Sequence, residues 1–132
     1  MKNNDHEKIY KIRHTMAHVM AYAVKQIFGE VKFGIGPVIE DGFYYDFELP
    51  RSLVLEDLSL IEEKMKDIIN NRYQVSNESI GFEEARQRYS NQPYKLELIN
   101  ELEQSPENSS VSIYGIGEFS DLCKGPHVAS LK

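Results

Sequence analysis

Three of the chain's four histidines and its only cysteine fall into two pairs of identical spacing, His14 with His18 and Cys123 with His127. Residues four apart on a helix share one face, a turn from each other, so His14 and His18 can address a common point. Cys123 and His127 flank Lys124-Gly125-Pro126, and a Gly-Pro step enforces a turn that brings thiol and imidazole together. As a set, His14, His18, Cys123 and His127 make a legitimate N/S quartet for tetrahedral zinc. Taken singly, each pair has a plainer reading: two histidines on a solvated helix face, and a buried structural cysteine beside a loop histidine. Three other ligand-binding motifs are excluded. The 104 residues between His18 and Cys123 are far from zinc-finger spacing, and His14-Thr15-Met16-Ala17-His18 lacks the glutamate that a metalloprotease helix supplies as general base. Gly34-Ile35-Gly36 lacks the third glycine of a dinucleotide loop, and Pro37 removes an amide donor, so this segment reads as a turn.

These residues need elements to hold them. From about His6 to Phe28 the apolar residues Ile9, Ile12, Met16, Val19, Met20, Ala23 and Ile27 recur at helical spacing, with Gly29 as the stop. At roughly 100° per residue, His14 and His18 lie about 200° and 240° around from Ile12, away from that apolar stripe. Val31–Leu49 is β-branched and aromatic, with a hairpin expected at Asp41-Gly42. Leu55–Arg72 returns to helical period, with Leu55, Leu58, Ile61, Met65, Ile68 and Ile69 on one face. A strand follows over Tyr73–Ile80, then short helices over Phe82–Tyr89 and Tyr94–Leu102, a loop over Gln104–Ser110, and two strands within Val111–Cys123. This order is not the alternation of a doubly wound fold. It predicts an α+β fold, mostly antiparallel sheet with a long N-terminal helix packed on it, in a single domain over residues 1–132.

With 41% hydrophobic and 27% charged residues in 132, the chain has the composition of one ordinary globular domain. No run of 18 apolar residues exists, so no membrane partner is expected, and the lone cysteine agrees with a reducing, cytoplasmic compartment. Fifteen Lys and Arg against 21 Asp and Glu give a net charge of −6, which lacks the footprint of a stand-alone nucleic-acid binder. Affinity for any nucleic-acid partner is therefore expected to be low.

Three separated motifs carry a family resemblance: His14-Thr15-Met16-Ala17-His18, Ile35 to Phe47 (IGPVIEDGFYYDF), and Phe119 to Val128 (FSDLCKGPHV). In order and spacing they resemble the N-terminal editing domain of the threonyl-tRNA synthetase family, from about Ile9 to the last residues. The HxxxH and CxxxH pairs also occur in the alanyl-tRNA editing domain and its free-standing relatives, while GPVIEDGFYYDF points to the threonyl branch. The resemblance implies hydrolysis of the ester between serine and the terminal adenosine of threonine tRNA. Such a step is needed because one missing methyl is worth only about 1–3 kcal/mol in a binding pocket. The editing pocket must then be too crowded for threonine's extra methyl.

Carried over residue by residue, the family's site falls on His14, His18, Tyr45, Lys95, Asp121, Cys123 and His127. His14 is assigned as proton acceptor, and Lys95 as holder of the water or stabiliser of the tetrahedral intermediate. Asp121 and His18 would bind the substrate's ammonium and hydroxyl, Tyr45 would shape the wall, and Cys123 with His127 would close the amino-acid side. By pattern alone Lys95, just after Pro93 at a helix start, is a solvated lysine. The threonyl branch edits by water activation without a cofactor, whereas the alanyl relatives place zinc on the positions of His14, His18, Cys123 and His127. The partners implied are the aminoacylated 3′ end of threonine tRNA and the catalytic and anticodon domains of a parent synthetase. Nothing resembles class II active-site segments, so the chain is not expected to charge tRNA alone. It is expected to be an excised domain rather than a free-standing editor. Two alternatives stay open: a non-catalytic module docking the tRNA acceptor end, and a zinc-dependent deacylase of the alanyl type.

Overall fold

The computed structural model describes residues 2–123 together with Val128 and Leu131, and of residues 2–5 the backbone alone. Helix α1 (Lys2–Phe28) ends where Gly29 takes a left-handed conformation at φ 74°, a conformation glycine adopts without a Cβ clash. Its middle and C-terminal turns are covered on more than one side: Thr15, Ala17, His18, Val19 and every residue from Ala21 to Val24 are buried. The expected apolar stripe is only part of the buried face. Ile9 and Ile12 remain 45% and 44% exposed, because the first turns of α1 extend past the packed core. The histidine face, away from the stripe as expected, is turned to protein rather than to solvent.

Helix α2 (Leu55–Asn70) lies along α1 and buries Ile61 and Ile68, with Met65 and Ile69 beside them. Leu55 and Leu58, expected on the same face, are exposed. The start of α2 is fixed by polar groups instead. Asp57 accepts from the Val54 amide at 2.8 Å and receives both Arg51 guanidinium nitrogens at 2.6 and 2.7 Å. These partners hold the Asp57 carboxyl down at about 2.

Between the two helices the chain forms one interrupted antiparallel hairpin. Strand β1 (Lys32–Phe33) pairs with β4 (Phe47–Glu48), and β2 (Val38–Ile39) pairs with β3 (Gly42–Phe43). Gly34 and Asp46 bridge the interruption: Gly34 N–H donates to Asp46 O at 2.8 Å, and Asp46 N–H to Ile35 O at 2.9 Å. The register Ile39↔Gly42 places Glu40-Asp41 at the tip, one residue before the expected Asp41-Gly42. Gly42 stays in ordinary strand conformation, so its freedom at positive φ is not what closes the turn.

The main sheet is antiparallel, in order β5 (Val75–Ile80), β6 (Val111–Ile116), β7 (Phe119–Leu122), with Ile80↔Val111 and Tyr114↔Asp121 in register. Side chains alternate between its faces. Ile116 and Phe119 join the cluster around α1, the hairpin and α2. Ile80, Val111, Ile113 and Leu122 face the other way and pack on Ala85, Tyr89 and Ile99 of the segment holding α3 (Phe82–Arg88) and α4 (Pro93–Gln104). Asp121 shares the parity of Phe119, so a buried carboxylate stands on the sheet face turned toward that cluster. The fold is α+β with antiparallel pairing throughout the described strands, as expected. Among the described residues no helix is long and apolar enough to cross a membrane.

Candidate active site

Asp121 is the centre of the site. It is 3% exposed, and an ionised carboxylate so buried requires partners for its lone pairs. Its Oδ1 accepts from Lys95 Nζ at 2.7 Å, and its Oδ2 accepts from the Tyr45 hydroxyl. Lys95 is itself 2% exposed, and its ammonium lies 5.6 Å from the centroid of the Tyr45 ring. The solvated lysine that helix pattern alone suggests is thus a buried cation. Burial and the Asp121 charge push the Tyr45 hydroxyl well above its ordinary range, so it remains a donor.

Several local contacts explain how Lys95 reaches this point. Pro93 opens α4, where its missing N–H costs nothing. Gln92, just before it, does not cap the helix. Its Oε1 accepts from Phe33 N–H at 2.8 Å and its Nε2 donates to Val31 O at 2.8 Å, like one more rung on the edge of β1. Lys32 Nζ adds a bond to Asn91 O at 2.9 Å. The helix start is thereby tied to the hairpin that also carries Tyr45.

From α1, His18 (3% exposed) sets its Nε2 3.6 Å from Asp121 Oδ2. Burial first, then His14 and Lys95, hold its pKa at about 3. His18 is therefore neutral at physiological pH, and its approach to Asp121 is not an ion pair. His14, one turn earlier and half-buried, meets His18 edge to face with ring centroids 5.5 Å apart. Its Nε2 lies 3.1 Å from Cys123 Sγ. Cys123 continues the β7 ladder, its N–H donating to Ser112 O at 3.0 Å. Thr15 accepts from Val128 N–H at 3.1 Å, so the chain returns to α1 beyond Cys123. His127 lies outside the described residues.

These groups line a cleft of about 630 Å³, large enough for an aminoacyl-nucleoside. His14, His18, Lys95, Asp121 and Cys123 come together in it; Tyr45 does not line it and supports Asp121 from behind. Sequence reasoning missed several lining residues. Tyr10 stands edge to face with His14 at 5.7 Å, Leu98 and Leu102 form the α4 wall, and Gly36 forms part of the floor. Gly36-Pro37 read only as a turn, yet a Cβ on Gly36 would overlap the Tyr45 ring.

His14, His18 and Cys123 each offer one donor atom, all within 4.8 Å of one another. Tetrahedral zinc holds such N and S atoms roughly 3.3–3.8 Å apart, so the three fit a metal after modest adjustment. The Lys95 ammonium, close enough to lower His18, opposes a dication at the same point.

No protein-family model matches the chain. Over 124 residues, 94% of its length, it is 44% identical to the threonine–tRNA ligases of Staphylococcus aureus strains JH9, Newman and N315. The chain spans 19% of these curated relatives, about a fifth of their length.

Proposed function

We propose that this chain is the editing domain of a threonine–tRNA ligase and hydrolyses the seryl ester of mischarged threonine tRNA. The observation that carries the reading is a buried ammonium, Lys95, fixed by Asp121 at the wall of a cleft that also holds two imidazoles and a thiol. Likeness to threonine–tRNA ligases over nearly the whole chain supports the same reading.

The chemistry is attack of a water oxygen on the ester carbonyl carbon, collapse of the tetrahedral intermediate and departure of the ribose oxygen, yielding serine and free tRNA. Water must lose a proton in the first step, and the ribose oxygen must gain one in the last. Asp121 is committed to Lys95 and Tyr45, Lys95 is cationic within that pair, and His18 at about 3 is a weak base. Of the two cleft groups that remain, the Cys123 thiol and the His14 imidazole 3.1 Å from it, we take His14 as the acceptor, which then returns the proton to the leaving oxygen. Lys95 stabilises the oxyanion, an interaction that strengthens as charge develops. Neutral His18 is an uncharged hydrogen-bonding group suited to the serine hydroxyl. The partners follow: the aminoacylated 3′ end of threonine tRNA, and the remaining domains of the ligase.

The test is release of labelled serine from Ser-tRNA by the wild type, His14→Ala and Lys95→Met. Release well above the spontaneous rate, lost in both variants, is expected; a wild type no faster than buffer removes the reading. A second reading, a zinc deacylase of the alanyl type, is favoured by the His14, His18 and Cys123 donor set. Those side chains would hold the ion, and zinc would supply Lewis-acid polarisation of the ester or water. Metal analysis of protein purified without chelator separates the two: one zinc per chain supports the second reading, none the first.

A further inference from the structure

A smaller cavity of about 300 Å³ adjoins the cleft, lined by Gly34, Ile35, Asp46, Phe47, Glu48 and Tyr94. Ile35 borders both cavities, and Tyr94 immediately precedes Lys95 in the first turn of α4. Tyr94 is 43% exposed, and its hydroxyl donates to Glu48 Oε1 at 3.1 Å, which orients the ring. Phe47 stacks behind on Tyr45, with centroids 4.8 Å apart and planes 9° apart. Ile35 adds an apolar side chain that is 50% exposed. The cavity therefore has a flat aromatic platform, an apolar flank and two carboxylates.

That chemistry selects its occupant. Carboxylates repel phosphate, so the sugar–phosphate backbone does not belong here. They accept from an exocyclic amine, as glutamate and aspartate do from cytosine N4. A fixed, exposed aromatic ring stacks an unpaired base. Every mature tRNA ends in two cytidines and an adenosine, and if the ester lies at Lys95, the terminal adenosine shares the larger cleft with it. We propose that the second cavity is a nucleobase subsite for the penultimate cytidine, stacked on Tyr94 with its amine directed to Glu48 and Asp46. This rests on the editing reading and names the second nucleotide that the domain contacts.

The experiment compares seryl-minihelices of the threonine acceptor stem carrying cytidine, uridine or an abasic residue at the penultimate position, with seryl-adenosine as the minimal substrate. A stacked base is worth about 5- to 150-fold in affinity. The wild type should lose roughly tenfold or more in kcat/KM from cytidine to abasic, mainly through KM, and less for uridine, which keeps stacking and lacks the amine. Tyr94→Phe, which keeps the ring and loses its bond to Glu48, should keep most of the cytidine-to-abasic ratio, and Tyr94→Ala should bring it close to one. A wild-type ratio near one, with all minihelices and seryl-adenosine hydrolysed equally well, overturns the subsite and leaves the editing reading standing. A ratio unchanged in Tyr94→Ala also overturns it. No release from any substrate, seryl-adenosine included, defeats the editing reading and this subsite with it.

Discussion

Replacing Lys95 with methionine keeps an unbranched side chain one atom shorter and removes its charge, leaving Asp121 ionised, 3% exposed and, among the described residues, supported by the Tyr45 hydroxyl and a neutral His18 at 3.6 Å. Breaking a pair of this burial costs about 3–5 kcal/mol, most of it the unpaired charge left behind. The loss of oxyanion stabilisation is a separate effect, about 10²–10³ in kcat. The two separate in the double variant Lys95→Met, Asp121→Asn. There the amide oxygen still accepts from Tyr45, no charge is buried, and replacing both partners is close to neutral. Urea unfolding should show Lys95→Met destabilised by about 3 kcal/mol or more and the double variant recovering most of that. Deacylation of Ser-tRNA should be lost in both. A Lys95→Met protein within about 1 kcal/mol of wild type, or a double variant no more stable than the single, would refute the buried pair. Normal deacylation by the folded double variant would refute its catalytic use. The docking alternative makes the opposite forecast, acceptor-stem binding weakened by Lys95→Ala with no turnover in any variant.

Gly36→Ala should act at a distance from the chemistry. The new Cβ overlaps the Tyr45 ring, overpacking of this kind costs about 1–3 kcal/mol, and a displaced Tyr45 releases Asp121; full activity and stability in this variant would contradict the packing. Gln92→Ala removes the two side-chain bonds from Gln92 to the β1 segment and leaves Phe33 N–H and Val31 O in want of partners, a loss of about 1–3 kcal/mol measured by thermal unfolding. Its kcat should fall with Lys95 misplaced, while Gln92→Glu, which keeps one acceptor, should fall less. For His18, the folded pKa of about 3 lies below the ordinary 6.5, so the unfolded chain binds the extra proton between these values. Stability should therefore be lost as pH falls from about 6.5 towards 3, by about 1.4 kcal/mol per unit at most, and His18→Gln should flatten that slope in urea titrations at stepped pH. Deacylated tRNA titrated at moderate salt should bind weakly, because the chain carries a net charge of −6; submicromolar affinity would contradict that electrostatic argument.

Periodicity revealed the elements, since α1, α2, α4 and the strands β5, β6 and β7 fall within a few residues of their expected bounds. It did not reveal which sides of α1 are covered. Helical spacing reports that Ile9 and Ile12 are apolar, not that the packed layer stops short of them. The hairpin tip shifted by one residue because strand register, set by Gly34–Asp46 bonding and the Tyr45 packing, overrode the local preference of Asp41-Gly42. The cleft was readable in its histidines and cysteine, whose spacing is visible in one dimension. Lys95 was different: its type and helical position say solvent, and only the pairing with a carboxylate from β7 makes burial affordable. Gln92, Gly36 and Tyr94 left no mark that spacing can detect, since their roles consist of contacts across 9 to 61 residues of chain, from Gly36 on Tyr45 to Gln92 on Val31.

The placement of Asp121 links folding to the site. A carboxylate on the inward parity of β7 would be a fault in the sheet unless α4 brought a cation, the hairpin a hydroxyl and α1 an uncharged imidazole to the same point. Each of those partners comes from a different element, so the pair forms only when helix, hairpin and sheet have docked. The ammonium thereby arrives in the cleft already oriented, with the cost of its desolvation met during folding rather than at each turnover. That is the condition under which a buried cation stabilises a developing oxyanion more than water can. The same reasoning explains why His18 is uncharged: a third formal charge within this cluster would have to be compensated by a group that none of the four elements supplies.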